Sequence, residues 1–227
     1  MSNTIVSPLL KHPQKLKREF YTRPVLSVAK ELLGKIIVKN EVLVSSLENT
    51  LIPAVNDNPF TWLSGKIVEV EAYNGSIDEA AHTFSGMTKR NEIMFSEGGY
   101  LYVYFTYGAH FCSNIVTGRK GEGTAVLLRA VEPLDGINQM AINRYGRDLK
   151  NDKEKLNLTN GPGKLCKAFC INRNHYGVDL TGDEIFILDQ PVLDKKDIEI
   201  TKRIGITRSV DLPWRFYIKN NPWVSRK

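Results

Sequence analysis

Residues 65–75, GKIVEVEAYNG, decide how this chain is to be read. The apolar, β-branched run from Ile67 to Ala72, closed by Asn74 and Gly75, predicts a strand that ends in a turn. Side chains alternate along a strand, so Val68, Val70 and Ala72 share one face while Ile67, Glu69, Glu71 and Tyr73 share the other. Both acids and the tyrosine therefore look the same way. Two carboxylates at i and i+2 can chelate a metal, work as an acid/base pair, or sit in solvent. The company of Glu71, with Tyr73 two residues on, His82 beyond the Gly75 turn and a tyrosine-rich segment soon after, favours a site over a solvated edge.

Outward from this strand, TRPVLSVAKELLG (22–34) predicts a helix. Thr22 serves as its cap, Pro24 lies in its first turn, apolar residues recur at 25, 26, 28, 29, 32 and 33, and Gly34 is its stop. KIIVKNEVLV (35–44) suits a strand, and residues 45–62, polar and broken by Pro53 and Pro59, form a long surface insertion. YLYVYFT and FCSNIV flank the short link YGAH, the pattern of two antiparallel strands joined by a tight turn. AVLLRAV (125–131) is an apolar strand with Arg129 set inside it. GINQMAINRYG is helical, EKLNLTNGPG is a loop, KLCKAFCI after Pro162 is a helix, and EIFILD and RFYIK are late strands. The expected fold class is α+β: a mostly antiparallel curved sheet surrounded by helices, with a protruding β-hairpin. A basic, flexible arm (1–22) precedes a single domain (23–227).

The 227 residues, 42% of them hydrophobic, suffice for one sizeable core. Thirty-one Lys and Arg against 25 acids give a formal charge of +6, the balance of a protein that meets a polyanion. Cys112, Cys166 and Cys170 form no CxxC pair and fit a reducing compartment, with Cys166 and Cys170 expected on one core face. No apolar run reaches the about 18 residues of a membrane span, and MSNTIVSPLLKHPQKLKR shows no signal-peptide pattern, so a cytoplasmic protein without a membrane partner is expected. A metal site would have to use Glu69, Glu71, Asp78, Glu79 and His82, with Lys89 beside them; no HExxH or paired histidines support it.

The blocks GKIVEVEAYNG, DEAAHTFSGMTKRNEIMF, GGYLYVYFTYGAHFCSNIV, AVLLRAVEP and NGPGKLC, followed by PWVS, resemble the alkyladenine (3-methyladenine) DNA glycosylase family, in family order. That resemblance implies a monomeric, cofactor-free and metal-free enzyme of DNA repair. It would flip an alkylated or deaminated purine out of duplex DNA and hydrolyse its N-glycosidic bond. It implies Glu71 as the general base that activates water, with Glu69 in support, and Tyr73, His82 and Tyr104 clasping the extruded purine. By the same resemblance Tyr107 enters the duplex where the base was, Asn114 disfavours the amino group of normal guanine, Arg129 lines the site, and Lys164 contacts DNA. The sequence departs from the family pattern in the long 45–62 segment and at Asn74, Lys89 and Ala109. A metal-dependent nuclease, a non-catalytic nucleic-acid-binding domain and a metabolic enzyme of similar fold are the competing readings.

Overall fold

The computed structural model describes residues 14–42, 60–106 and 108–225. Residues 1–13 of the expected arm, 45–59 of the expected insertion and Tyr107 lie outside the described residues, and residues 60–62, expected in the insertion, instead begin a strand. The short helix α1 (Arg18–Tyr21) precedes α2 (Val25–Leu32), and the sheet begins with β1 (Ile36–Val42) and the long strand β2 (Phe60–Asn74). The hairpin β3 (Leu101–Thr106) and β4 (His110–Thr117) leads to β5 (Thr124–Pro133). Helices α3 (Ile137–Tyr145), α4 (Asp152–Leu156) and α5 (Pro162–Ala168) follow, then β6 (Ile185–Leu188), β7 (Ile198–Thr201) and β8 (Arg215–Ile218).

All strand pairs are antiparallel, in the order β3-β4-β5-β2-β1-β6, with β8 joining β2 to β7. Strand β2 is the spine of the sheet. It pairs with β1 over its first half, with β5 over its second, and with β8 at Glu69–Glu71. The change of partner curls the sheet around the end of β2 that carries the acids.

The apolar stripe of α2 sends Val25, Val28, Ala29 and Leu32 into the main core with Ile67, Val70 and Leu128. Ile67, expected on the face of the acids, joins Val70 and Ala72 instead because a bulge at Val68 breaks the alternation. Burial along the hairpin decreases toward its tip, from fully enclosed Leu101 to exposed Phe105 and His110, so the hairpin protrudes as expected. Among the described residues no helix is long and apolar enough to cross a membrane.

Several local expectations are corrected. Thr22 does not cap α2; it follows α1, and its hydroxyl donates to the Glu19 carbonyl, while Pro24 occupies the cap position of α2. Residues 14–22 are packed rather than arm-like: Leu16 and Tyr21 are buried, and Arg18 pairs with Asp179. Glu154–Leu156 belongs to α4, capped by the Asn151 side chain, instead of starting a loop. Cys166 is buried, but Cys170 is exposed, because the chain has left the helix and adopts a positive φ of 52° there.

Candidate active site

Strand β2 carries the acids into the interior by means of two compensating bulges. Its ladder with β5 skips Val68 on one strand and Arg129 on the other, which explains why an arginine can sit in an apolar strand. The guanidinium turns toward the acids: Nε donates to Glu69 Oε1 at 3.0 Å, and Nη1 lies 3.2 Å from Glu71 Oε1. Both glutamates are 0% exposed. Two carboxylates this deep require compensation, and their surroundings supply it unequally.

Glu69 is anchored on all sides. Besides Arg129 it accepts from Arg215 Nε (2.7 Å), the Ser225 amide (2.6 Å) and the Ser225 hydroxyl (3.0 Å). Glu71 accepts from the Tyr73 hydroxyl at 2.8 Å on Oε2 and from the Ile204 amide at 2.7 Å on Oε1. Burial, then the neighbouring Glu71 carboxylate, pushes the Tyr73 hydroxyl well above the ordinary tyrosine value, so it stays a proton donor to Glu71. Burial opposes the charge of Arg129, but Glu71 and then Glu69 outweigh it and raise its pKa.

In front of this floor opens a cavity of about 490 Å³. Tyr73, Arg129 and Ile204 border it, with Glu71 enclosed behind them. Its wall is aromatic: the His82 ring lies 4.5 Å from that of Tyr104, and Tyr104 stacks on Tyr102 at 5.5 Å. His82 Nδ1 is 2.9 Å from the Tyr102 hydroxyl. Partial desolvation against the aromatic wall, then Arg90, lowers the pKa of the otherwise exposed His82, favouring a neutral ring at neutral pH. Burial pushes Tyr102 up to about 12 and raises Cys112, whose thiol faces Tyr104. Tyr102 packs in the wall as a core residue, 1% exposed.

Local backbone geometry returns His82 to the strand it left. A Cβ on Gly75 would stand 2.2 Å from Thr83 Oγ1, so only glycine lets the two segments touch. The Thr83 hydroxyl then donates to the Gly123 carbonyl at 2.6 Å, and buried Asn91 clamps the loop by donating to the His82 carbonyl at 2.8 Å.

The structure therefore brings Tyr73, His82, Tyr104, Asn114 and Arg129 to one cavity, with Glu71 held by Tyr73 and Arg129 but itself enclosed. Asn114 is buried in its wall, donating to the Tyr102 carbonyl at 3.3 Å. Lys164 stands apart at the start of α5, its ammonium donating to Asn157 (3.0 Å) and Asn160 (2.7 Å). Residues that sequence reasoning left without a role also build the site: Asn91, Arg203, Ile204, Arg215 and Ser225. Ser225 sits in the PWVS block, yet nothing in that block signals a partner on β2.

The acids are not free to chelate. Glu69 and Glu71 are held by arginines, and Asp78 forms a fully buried ion pair with Arg203, so the nuclease arrangement of 69, 71 and 78 does not exist here. Among the described residues no group of three or more His, Cys, Asp or Glu side chains is placed to hold a metal.

Residues 19–222 match the family model of methylpurine-DNA glycosylase. This is a DNA glycosylase, a hydrolase of N-glycosyl bonds. A Clostridium novyi (strain NT) protein and an Alkaliphilus oremlandii (strain OhILAs) protein are each 46% identical over 222 residues, covering 94% of this chain and 100% of the relative. A Carboxydothermus hydrogenoformans protein is 44% identical over 214 residues, covering 93% of this chain and 99% of its own. All three bear the name "Putative 3-methyladenine DNA glycosylase". The chain belongs to the methylpurine-DNA glycosylase family.

Proposed function

We propose that this enzyme extrudes alkylated or deaminated purines from duplex DNA into the aromatic cavity and hydrolyses the N-glycosidic bond with water activated by Glu71. The observation that carries the reading is a buried carboxylate held by Tyr73, Arg129 and the Ile204 amide directly behind a cavity walled by His82, Tyr104 and Asn114.

In this reading the extruded purine packs against His82 and Tyr104, and Asn114 disfavours the exocyclic amino group of normal guanine. Water attacks C1′, its proton passes to Glu71, and the C1′–N bond breaks with its electron pair leaving on the purine. Alkylation at a ring nitrogen makes the purine a better leaving group, so selection matters more than forcing chemistry. Arg129 holds Glu69 and Glu71 together, and Glu71 as an anion also stabilises positive charge developing on the sugar. Tyr107 fills the gap left in the duplex, and Lys164 contacts the DNA near the start of α5. The protein acts as a cytoplasmic, cofactor-free monomer on damaged double-stranded DNA, and because water is the nucleophile no lysine Schiff base is required.

The test is direct. Duplex oligonucleotides carrying a single alkylated or deaminated purine are incubated with the protein, with and without chelator, and released base and abasic sites are measured. Base release insensitive to chelation is expected. Borohydride trapping of a covalent protein–DNA adduct would overturn the water mechanism.

A further inference from the structure

Among the described ion pairs, Asp78–Arg203 is the one in which both side chains are wholly enclosed, at 0% exposure. The water mechanism uses neither residue. A buried ion pair is seldom better for stability than well-packed apolar side chains of similar volume, so its presence beside the site calls for another reason.

The contacts of Arg203 supply one. Nη2 donates to Asp78 Oδ1 at 2.8 Å and to the Ser209 carbonyl at 3.3 Å, while Nη1 donates to Asp78 Oδ2 and to the Ala72 carbonyl at 3.0 Å. The guanidinium thus ties the 203–209 loop both to β2, at the residue after Glu71, and to the turn that carries Asp78. Asp78 is itself fixed, its amide donating to the Asn74 carbonyl at 3.0 Å. The guanidinium carbon also lies 4.6 Å from the centroid of the Tyr73 ring and 5.5 Å from that of Trp214.

These contacts converge on one carboxylate. Tyr73, against which Arg203 lies, donates to Glu71 Oε2, and Ile204, the next residue after Arg203, donates through its amide to Glu71 Oε1. We infer that Arg203, locked by Asp78, is a positioning residue that orients the Glu71 carboxylate through the Tyr73 ring and the Ile204 amide. The inference rests on the proposed role of Glu71. Lysine cannot replace the planar fork: it lacks the bidentate grip on Asp78 and the flat face against Tyr73, so the loop amide loses its aim.

The full-length R203K, Y73F, R203K/Y73F and E71Q proteins are compared. The readouts are single-turnover excision of one alkylated purine from duplex DNA, affinity for the same duplex carrying an abasic-site analogue, and thermal denaturation. R203K is expected to lower single-turnover excision on the order of 10²-fold, the cost of a small misplacement of a reacting group, while affinity is unchanged. The double variant is expected to lose less than the product of the two single losses, because both act through Glu71. Unchanged excision in folded R203K, parallel loss of excision and affinity, or multiplicative losses in the double variant would overturn the inference. If R203K does not fold, D78N keeps the shape of Asp78 and one acceptor, and is judged by the same split. Normal excision by E71Q would bring down the underlying reading itself, whereas an inactive E71Q beside a fully active R203K brings down only the role of Arg203.

Discussion

The floor of the cavity and its wall are built by opposite means. The floor is a network of charges contributed by distant parts of the chain: Glu69 and Glu71 from β2, Arg129 from β5, Arg215 from β8, and Ile204 and Ser225 from loops. The wall is aromatic, and its partners are close in sequence: His82 meets Tyr102 and Tyr104, and Tyr104 faces Cys112 across a tight hairpin. The difference teaches that the charged floor exists only when the whole sheet has closed, whereas the wall needs little beyond a hairpin and one returning loop. Within the floor the acids diverge too, Glu69 being an anchor with four donors and Glu71 the acid held by Tyr73, Arg129 and Ile204, which border the cavity.

That contrast can be broken at several points. Replacing the floor residue Glu71 by Gln keeps its shape and removes the proposed base. Single-turnover excision should fall by about 10² to 10⁴-fold while binding to lesion DNA is retained; near-normal excision would remove Glu71 from the role. Glu69→Ala strips the counter-charge from Arg129 and Arg215 and should cost about 3–5 kcal/mol of stability, read as a lower urea midpoint. A variant as stable as the parent would show that the anchor is not structural.

In the wall, Tyr104→Ala should weaken binding of lesion-containing duplex by about 1–3 kcal/mol, the typical contribution of an aromatic face to holding a base. Equal affinity would place the extruded base elsewhere. The smallest effect is a pH dependence at His82. Its folded-state pKa is depressed by partial desolvation and then by Arg90, so as pH falls through about 6.5 the unfolded chain takes up that proton first. The contribution of this group to stability is therefore complete above that pH and is lost on the way down toward the folded value. Urea midpoints measured across this window should decline less in His82→Gln than in the parent, and identical declines would contradict the assignment.

The parts of the site legible in the sequence were those set by short-range pattern. Alternation in β2 put both acids and Tyr73 on one side, the YGAH link marked the hairpin, and Arg129 stood out as a charge within an apolar strand. Strand β7 carried no such mark: its four residues, IEIT, follow a lysine-rich turn and pair only with another short strand, β8. Thr22 failed as a cap because α1, which no periodicity announced, absorbed it. Arg203 and Arg215 were invisible as site residues, since an arginine in a sequence of net charge +6 reads as one more surface cation until its partner is known.

By itself, then, the sequence determined the class of fold, the strand that bears the acids and the aromatic hairpin opposite. These follow from side-chain periodicity and turn chemistry, which act over a few residues. Only the tertiary structure decided that Glu69 is an anchor, that Glu71 is held by Tyr73 and the Ile204 amide, and that Asp78 belongs to Arg203 instead of a metal. The reason is physical: a buried carboxylate takes its character from the donors around it, and here most of those donors arrive from more than 50 residues away.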